Sequence, residues 1–438
     1  MPFIPHSEAD VRAMLKTIGV QRIDDLFDEI PPALLIDELR NVPPGLNEMD
    51  VTRLLKERAA QDGTPLNFAG AGAYEHHIPA AVWAIVSRGE FYSAYTPYQA
   101  EASQGTLQLI YEYQTMMTRL TGMDVSNASL YDGATALAEA VNLARSAGSR
   151  GRVLVSAAVD PRYVDTLRTY GRGAGYQPEV FDVVDGRGGE PEVTDDVACV
   201  IVQHPNAYGL LEPARELFGA AHAGGARAIQ VFDPLSLGVL APPGDLRADI
   251  AVAEGQVLGN HLNHGGPYLG VIATRLDDVR RLPGRLVGET LDVDGRTGYV
   301  LTLQAREQHI RREKATSNIC TNQTLMAIAA TVYLGWLGPQ GLEELGRRCM
   351  SKAAYAAERL SEVPGVEMLF DDAPFFKEFP IRLPRPAAEV RDALIERGYL
   401  GGVPLPDADG HALLVAVTER RSRDEIDGLA MALKEVLA

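Results

Sequence analysis

Asp233 and a glycine-rich turn after it are the positions where this sequence could carry buried chemistry. Asp233 ends the apolar run AIQVFD, so its carboxylate could hold a buried cation; alternatively, it is a solvated residue that caps the turn before Pro234. The turn HGGPYLG occupies residues 264–270, and the amides of Gly265 and Gly266 could cradle an anion such as a phosphate. Glycines at such positions also serve simply to make the turn.

The sequence between these two features contains no lysine. Enzymes that use pyridoxal phosphate (PLP) hold its pyridinium nitrogen with an acidic residue and its aldehyde with a lysine, as a Schiff base. The lysines of this chain are Lys16, Lys56, Lys314, Lys352, Lys377 and Lys434. A Schiff base needs a primary amine, for which no other side chain substitutes. Lys314 follows the turn too late for this role, so the residues predict a PLP-type site without its nucleophile.

Helices alternate with short apolar strands along the part of the chain that must position Asp233. Residues 106–122 carry apolar side chains every three or four positions, which predicts a helix ended by Gly122. Strands are predicted at 152–159, 197–205, 226–233, 249–252 and 268–273. Such alternation indicates a mostly parallel sheet with helices on both faces.

The predicted fold class is α/β, with a large domain of the fold-type I PLP-transferase kind and a small C-terminal α+β domain. The large domain should contain a mostly parallel sheet of the seven-strand type. The predicted domains are a helical arm, the large domain and the small domain, at residues 1–60, 61–339 and 340–438. Residues 299–314 are polar and helix-prone, and a long helix through about residue 336 should end at Gly338-Pro339.

Charge and cysteine content exclude several classes of function. The formal net charge of -18 argues against nucleic acid and against anionic membrane surfaces as partners. Cys199, Cys320 and Cys349 are widely separated and have no metal-type spacing, which indicates reduced thiols and a cytoplasmic protein. No long apolar run predicts a membrane span, and the N-terminal residues lack the pattern of a secretory signal.

Histidines and a basic segment are the remaining candidates for function. His76 and His77 are adjacent, but no cysteine or carboxylate lies near them at metal-ligand spacing, so no metal is predicted. Four basic residues form an island in an otherwise acidic chain: Arg306, Arg311, Arg312 and Lys314. They could line a path for an anionic substrate; alternatively, they pair with Glu307 and Glu313 along a helix.

Two long segments carry a resemblance to a known family. Residues 92–105 read YSAYTPYQAEASQG, and residues 306–321 read REQHIRREKATSNICT. Both resemble signature segments of glycine decarboxylase, the P-protein of the glycine cleavage system. Further matches follow in the same order at residues 67–79, 124–140, 265–270 and 282–290. The sequence departs from the family at Ala100, where proline is usual, and at His261 and His264.

The resemblance is to subunit 1 (α), the N-terminal half of the split, two-subunit form. It implies glycine decarboxylation, with transfer of the aminomethyl group to the lipoyl arm of the H-protein. It also implies that PLP is bound covalently by a separate subunit 2 (β) in an α₂β₂ assembly, not by this chain. The rival interpretation is a non-enzymatic scaffold or regulatory pseudoenzyme that only stabilises its partner.

The resemblance also suggests roles for particular residues, none of them a covalent catalyst. Tyr95, Thr96, Pro97, Tyr98 and Glu101 form a loop that could be donated to the partner's active site. Alternatively, the tyrosines of this loop only pack at an interface. Arg311, Arg312 and Lys314 could line an anion path. A degenerate cofactor pocket would contain the residues His204, Asp233, Gly265 and Gly266.

Overall fold

The computed structural model describes residues 5–36, 39, 41–371, 373–406 and 409–438. The chain divides into two compact units, Met1–Gly63 and Thr64–Ala438. The first unit contains helices α1 (Glu8–Ile18) and α2 (Glu48–Ala59), with short 3₁₀ turns between them. Ser7 and Asp10 cap the start of α1 reciprocally, and Gly19 ends it with a φ of 95°.

The second unit contains the remaining regular elements. Its helices are α3 (Ala80–Val86), α4 (Gln104–Thr121), α5 (Gly133–Ser146), α6 (Pro161–Ala174), α7 (Ala214–Ala223), α8 (Gln308–Arg311), α9 (Thr324–Ser361), α10 (Ala387–Ile395) and α11 (Arg423–Leu437). Its strands are β1 (Leu66–Asn67), β2 (Val125–Ser126), β3 (Arg152–Ser156), β4 (Pro178–Phe181), β5 (Val183–Val184), β6 (Arg187–Gly188), β7 (Val197–His204), β8 (Arg227–Phe232), β9 (Ile250–Glu254), β10 (Gly270–Thr274), β11 (Leu286–Leu291), β12 (Thr297–Thr302), β13 (Glu367–Met368), β14 (Glu378–Arg382), β15 (Tyr399–Leu400), β16 (Val403–Pro404) and β17 (Ala412–Ala416).

A seven-stranded sheet forms the centre of this unit, in the order β2-β10-β9-β8-β7-β3-β4. Strands β4, β3, β7, β8 and β9 are parallel, whereas β10 and β2 run antiparallel to their neighbours. The predicted mostly parallel, seven-stranded sheet is confirmed. Because the parallel strands end at one edge, the residues that follow β7, β8 and β9 come together there.

Helices cover both faces of the sheet, as the continuous apolar strands require. Val200 of β7 packs in a cluster that contains Phe218 of α7 and Tyr333 of α9. The next residue, Ile201, points to the opposite face and packs with Leu137 of α5. Each fully buried side chain of this kind contributes roughly 1.5–3 kcal/mol of transfer free energy, so both helical layers are held firmly to the sheet.

Helix α9 leads from the large sheet into a small C-terminal sheet. It breaks at Gly338, where φ is 62° and ψ is 178°, and Pro339 follows, as predicted. Although α9 is long and apolar enough to span a membrane by composition, this break divides it, and much of it is buried in the fold. The small sheet is antiparallel, in the order β13-β14-β17-β16, and packs on α10 and α11. The predicted small α+β region is confirmed.

The prediction of helix-prone structure from residue 299 onward was wrong at its start. Residues Thr297–Thr302 form β12, which pairs antiparallel with β11. Gln104 reinforces this hairpin, because its side chain accepts from the amide of Tyr299 and donates to the carbonyl of Tyr299. Cross-strand pairing therefore overrides local helix propensity here.

Candidate functional site

Asp233 lies at the carboxyl edge of the sheet and makes both of the contacts considered for it. One carboxylate oxygen, Oδ1, accepts a hydrogen bond from the Leu235 amide at 2.9 Å and so caps the turn. The other, Oδ2, lies 2.6 Å from Nζ of Lys377. The Lys377 side chain is only 2% exposed, so Asp233 does hold a buried cation, and that cation belongs to the chain itself.

Lys377 comes from the small sheet, one residue before β14, and reaches across to the large sheet. Its ammonium lies 3.6 Å from the ring centroid of Tyr74 and 3.1 Å from Nε2 of His76. A cation–π contact and two polar partners compensate for its removal from water. Sequence patterns alone do not assign Lys377 to the site; the available signal was its position, with Glu378, between the apolar residues of the segment Phe375–Pro380.

His76 continues the network from Lys377 towards two further polar side chains. Burial, followed by the charge of Lys377, lowers the pKa of His76, so the ring is neutral. It accepts at Nε2, and its Nδ1 lies 2.7 Å from Oε2 of Glu419. Cys349 lies 3.5 Å from the same oxygen, and donor atoms of His76, Cys349 and Glu419 lie within 4.8 Å of one another. The nearby ammonium disfavours a metal ion there.

Glu254, at the end of β9, fills the amino-terminal end of helix α5. Its Oε2 accepts from the amide of Gly133 at 3.0 Å, and its Oε1 accepts from Gln256 at 2.9 Å and from Leu269 at 3.0 Å. Amides at the start of a helix form a natural anion site, and here the chain's own carboxyl group occupies it. Burial raises the pKa of Glu254 to about 7.

Glu378 closes the opposite side of the same cavity. Its Oε1 accepts from the amide of Ala71 at 2.6 Å, and its Oε2 accepts from the hydroxyl of Tyr74 at 2.6 Å. Burial raises the pKa of Glu378 to about 7. The side chains of Glu254 and Glu378 therefore bring protonatable carboxyl groups close to the buried pair of Asp233 and Lys377.

PLP does not fit the residues around Asp233. The cavity measures about 50 Å³, whereas ligand pockets usually measure roughly 300–1,000 Å³. Lys377 takes the place where a pyridinium nitrogen would meet Asp233, and Glu254 takes the amide of Gly133 at the start of α5, where a phosphate could bind. The cavity is lined by Lys377 and by the acidic side chains Asp160, Asp233, Glu254 and Glu378, whose polar groups already have partners within the chain.

Raising the pH should weaken the fold through Glu254 and Glu378. Each carboxyl has an ordinary pKa of 4.5 and a folded-state pKa of about 7. Between these values the folded chain binds more protons than the unfolded chain, so the stability contribution present below about pH 4.5 is lost as pH rises through 7. The loss should be about 1–3 kcal/mol per carboxyl. Urea unfolding near pH 5 and pH 8 measures it, and Glu378→Gln should reduce the difference.

The other residues predicted for the degenerate pocket do not line this cavity. His204 accepts at Nδ1 from the amide of Glu212 at 3.0 Å, and burial lowers its pKa to about 4. The amide of Gly266 donates to the carbonyl of Asn263 at 2.6 Å, so it is not available to an anion. Gly265 lines an adjoining, more open cavity of about 330 Å³, which shares Asp160, Tyr163 and Glu254 with the cavity at Asp233. Gly265 therefore reaches the adjoining cavity, whereas His204 and Gly266 line neither of the two.

The loop of residues 95–101 is exposed. Tyr95 is 85% exposed and Tyr98 is 57% exposed, while Pro97 is buried and anchors the loop. Thr96 is half-buried and Glu101 is exposed. Two exposed tyrosines beside a buried anchor are typical of a surface that meets another molecule.

The basic residues 311–314 are also exposed. Within the described residues, no salt bridge involves Arg311, Arg312 or Lys314, so the alternative of pairing with Glu307 and Glu313 is not observed. Arg306 differs from them, because its guanidinium donates to the carbonyls of Leu282 and Gly284.

The fold and the pocket together define the class of the protein. A mostly parallel seven-stranded sheet, an aspartate after β8 and a small antiparallel C-terminal sheet are the architecture of fold-type I PLP-dependent enzymes. Sphingosine-1-phosphate lyase Bpss2021 of Burkholderia pseudomallei shares this fold, with a TM-score of 0.68 and 16% identity over 91% of this chain and 92% of that chain.

Closer relatives identify the family. The sequence model of the glycine cleavage system P-protein matches residues 1–433. The probable glycine dehydrogenase (decarboxylating) subunit 1 of Thioalkalivibrio sulfidiphilus is 53% identical, with all of both chains covered. A crystal structure of glycine decarboxylase (P-protein) of the glycine cleavage system, in inhibitor-bound form, is 46% identical with a TM-score of 0.96, again with all of both chains covered. The chain belongs to the glycine cleavage system P-protein family.

Proposed function

We propose that this chain is subunit 1 of a two-subunit glycine dehydrogenase (decarboxylating), whose PLP is held covalently by subunit 2. The observation that carries the assignment of the cofactor to the partner is the 2.6 Å contact between Lys377 and Asp233. Because the chain supplies its own cation to Asp233 and its own carboxyl to the helix amides, it needs no cofactor to satisfy these groups. The complex acts in the glycine cleavage system, in the cytoplasm.

The chain's contribution to the reaction is to complete the partner's active site. PLP bound to the partner supplies an electron sink for the loss of carbon dioxide from glycine. Tyr95 and Tyr98 present hydroxyl groups and aromatic faces that can orient the substrate and exclude water. Thr96 and Glu101 add polar groups, and Pro97 restricts the backbone between them.

The exposed basic segment fits the approach of anionic groups. Arg311, Arg312 and Lys314 have no carboxylate partners among the described residues, so their charges are available to attract glycine's carboxylate or the lipoylated H-protein. An α₂β₂ assembly would place one such segment and one tyrosine loop beside each partner active site.

Reduction with borohydride tests where the cofactor is held. The assembled complex is incubated with PLP, reduced and digested, and pyridoxyl-lysine peptides are identified by mass spectrometry. We expect the label on subunit 2 alone, and we expect glycine–bicarbonate exchange only when both subunits are present. A pyridoxyl group on Lys377 or Lys314 of this chain would overturn the proposal, and exchange by subunit 2 alone would favour a scaffold.

A further inference from the structure

Arg285 is a buried guanidinium that lacks a negatively charged partner. The residue is 4% exposed and directly precedes β11. Its hydrogen bonds go to three neutral oxygens: Oγ1 of Thr321 at 3.3 Å, Oδ1 of Asn322 at 3.2 Å and the hydroxyl of Tyr98 at 3.4 Å. Its Nε has no partner, and no carboxylate of the described chain forms a salt bridge with it.

This arrangement is unfavourable for an isolated chain. A buried charge is costly unless an opposite charge and good hydrogen bonds compensate for its lost hydration. All three bonds of Arg285 are longer than the usual 2.9–3.0 Å or so for this kind of contact. Arg421 is similarly buried, at 5% exposure, but it pairs with the carboxylate of Glu75 at 3.3 Å. The environment of Arg285 therefore indicates that its counterion is supplied by another molecule.

A second source of positive potential meets Arg285 at the same place. Thr321 and Asn322 lie directly before helix α9, which begins at Thr324, and no side chain caps its first amides. The start of a helix carries a partial positive charge and unpaired N–H groups, and both attract anions. A guanidinium next to an uncapped helix start is mildly repulsive until an anion lies between them.

Tyr98 covers the guanidinium from the side of the exposed loop. Its ring centroid lies 5.6 Å from Cζ of Arg285, and Tyr98 is itself 57% exposed. Its hydroxyl, which accepts from Arg285, is therefore placed to contact a group that approaches from the exposed side of the loop. Three of the segments that carry the family resemblance meet here, since Tyr98, Arg285 and Thr321 belong to residues 92–105, 282–290 and 306–321.

We propose that Arg285, the start of α9 and the hydroxyl of Tyr98 bind an oxyanion presented by the partner's active site. This inference rests on the proposed function, because it requires the loop to face the partner. A guanidinium offers two parallel N–H donors that match a phosphate or a carboxylate. The cofactor's phosphate and the substrate's carboxylate share this chemistry. They can be distinguished by whether a change at the site weakens the binding of PLP or raises the KM for glycine.

Arg285→Lys in the assembled complex separates the two sources. Lysine keeps the charge and loses the paired donors. If the cofactor phosphate binds here, the affinity of the apo complex for PLP should fall about 10- to 100-fold, while affinity for pyridoxal, which has no phosphate, stays unchanged. If the glycine carboxylate binds here, PLP affinity should be unchanged and the KM for glycine should rise by the same factor.

Thr321→Asp provides an independent test that introduces a counterion instead of removing the cation. An aspartate beside Arg285 and the helix start should raise the melting temperature of the complex and weaken the same binding constant that Arg285→Lys weakens. Suppose that both variants assemble and that PLP affinity and the KM for glycine each stay within about twofold of the unaltered complex. If Tyr95→Phe still lowers exchange, the proposed oxyanion site is wrong, but the proposed function stands. If Tyr95→Phe also leaves exchange unchanged, the loop takes no part in the partner's active site, and the proposed contribution of this chain to the reaction fails together with the oxyanion site.

Discussion

Replacing Lys377 with methionine should destabilise the folded chain by about 3–5 kcal/mol, because it leaves the carboxylate of Asp233 without its buried cation. The two side chains are 2% and 13% exposed, respectively, so water cannot take over the role of the ammonium. Methionine has a similar length and fills most of the same volume, which keeps a cavity from contributing much to the loss. Urea unfolding of the purified variant and of the unaltered chain measures the difference.

The matched controls separate the charge from other effects of the substitution. Lys434→Met removes an exposed lysine from the last turn of α11 and should change stability by less than about 1 kcal/mol. Adding Asp233→Asn to Lys377→Met should recover part of the loss, since two neutral groups can replace a buried pair at little cost. Equal losses in the single and the double variant would show that the pair is not the source of stability.

The sheet and Asp233 were predictable because their signals are local. Residues 226–233 form an apolar run that ends in a carboxylate, and a buried parallel strand produces that pattern whatever else the chain contains. The helix at 106–122 was predicted for the same reason, and the structure ends it at Thr121 with Gly122 in the left-handed region, at φ 68°. Periodicity along short segments therefore predicts the strands and helices that position the site.

The contents of the pocket were not predictable, since they depend on contacts between distant parts of the chain. Lys377 meets Asp233 across 144 positions of sequence, the difference between their residue numbers, and no local pattern encodes that contact. His204 is the last residue of β7, at the edge where the sequence places it, and its ring accepts from the amide of Glu212. The edge of a sheet can be located from sequence, whereas the direction of each side chain there cannot.

The absence of a lysine after Asp233 predicts a pocket without a Schiff-base residue, but it does not predict which groups occupy that pocket. Sequence alone shows that no amine lies between Asp233 and the turn at residues 264–270. In the structure, Lys377 lies against Asp233, and Glu254 accepts from the first amide of α5. These contacts pair the buried groups of the pocket within the chain itself, which is the basis for proposing that PLP is held by the partner.

Tyr95→Phe should lower glycine–bicarbonate exchange by the assembled complex about 10- to 100-fold. Tyr95 is 85% exposed, so loss of its hydroxyl should not affect the fold of this chain. A hydrogen bond to a charged group contributes about 1.5–3 kcal/mol, and each 1.36 kcal/mol or so corresponds to a factor of ten in rate. Tyr92→Phe is the matched control, because Tyr92 is 59% exposed on the same segment and lies outside the proposed contact loop.

Whether Tyr95→Phe changes KM or kcat identifies the role of the Tyr95 hydroxyl. If it binds the glycine carboxylate equally before and during the reaction, KM should rise while kcat is unchanged; if it stabilises charge that develops as carbon dioxide leaves, kcat should fall. A comparable loss in Tyr92→Phe would indicate a general disturbance of the segment. Full activity in both Tyr95→Phe and Tyr98→Phe would mean that the loop only packs against the partner, and the chain would then act as a scaffold.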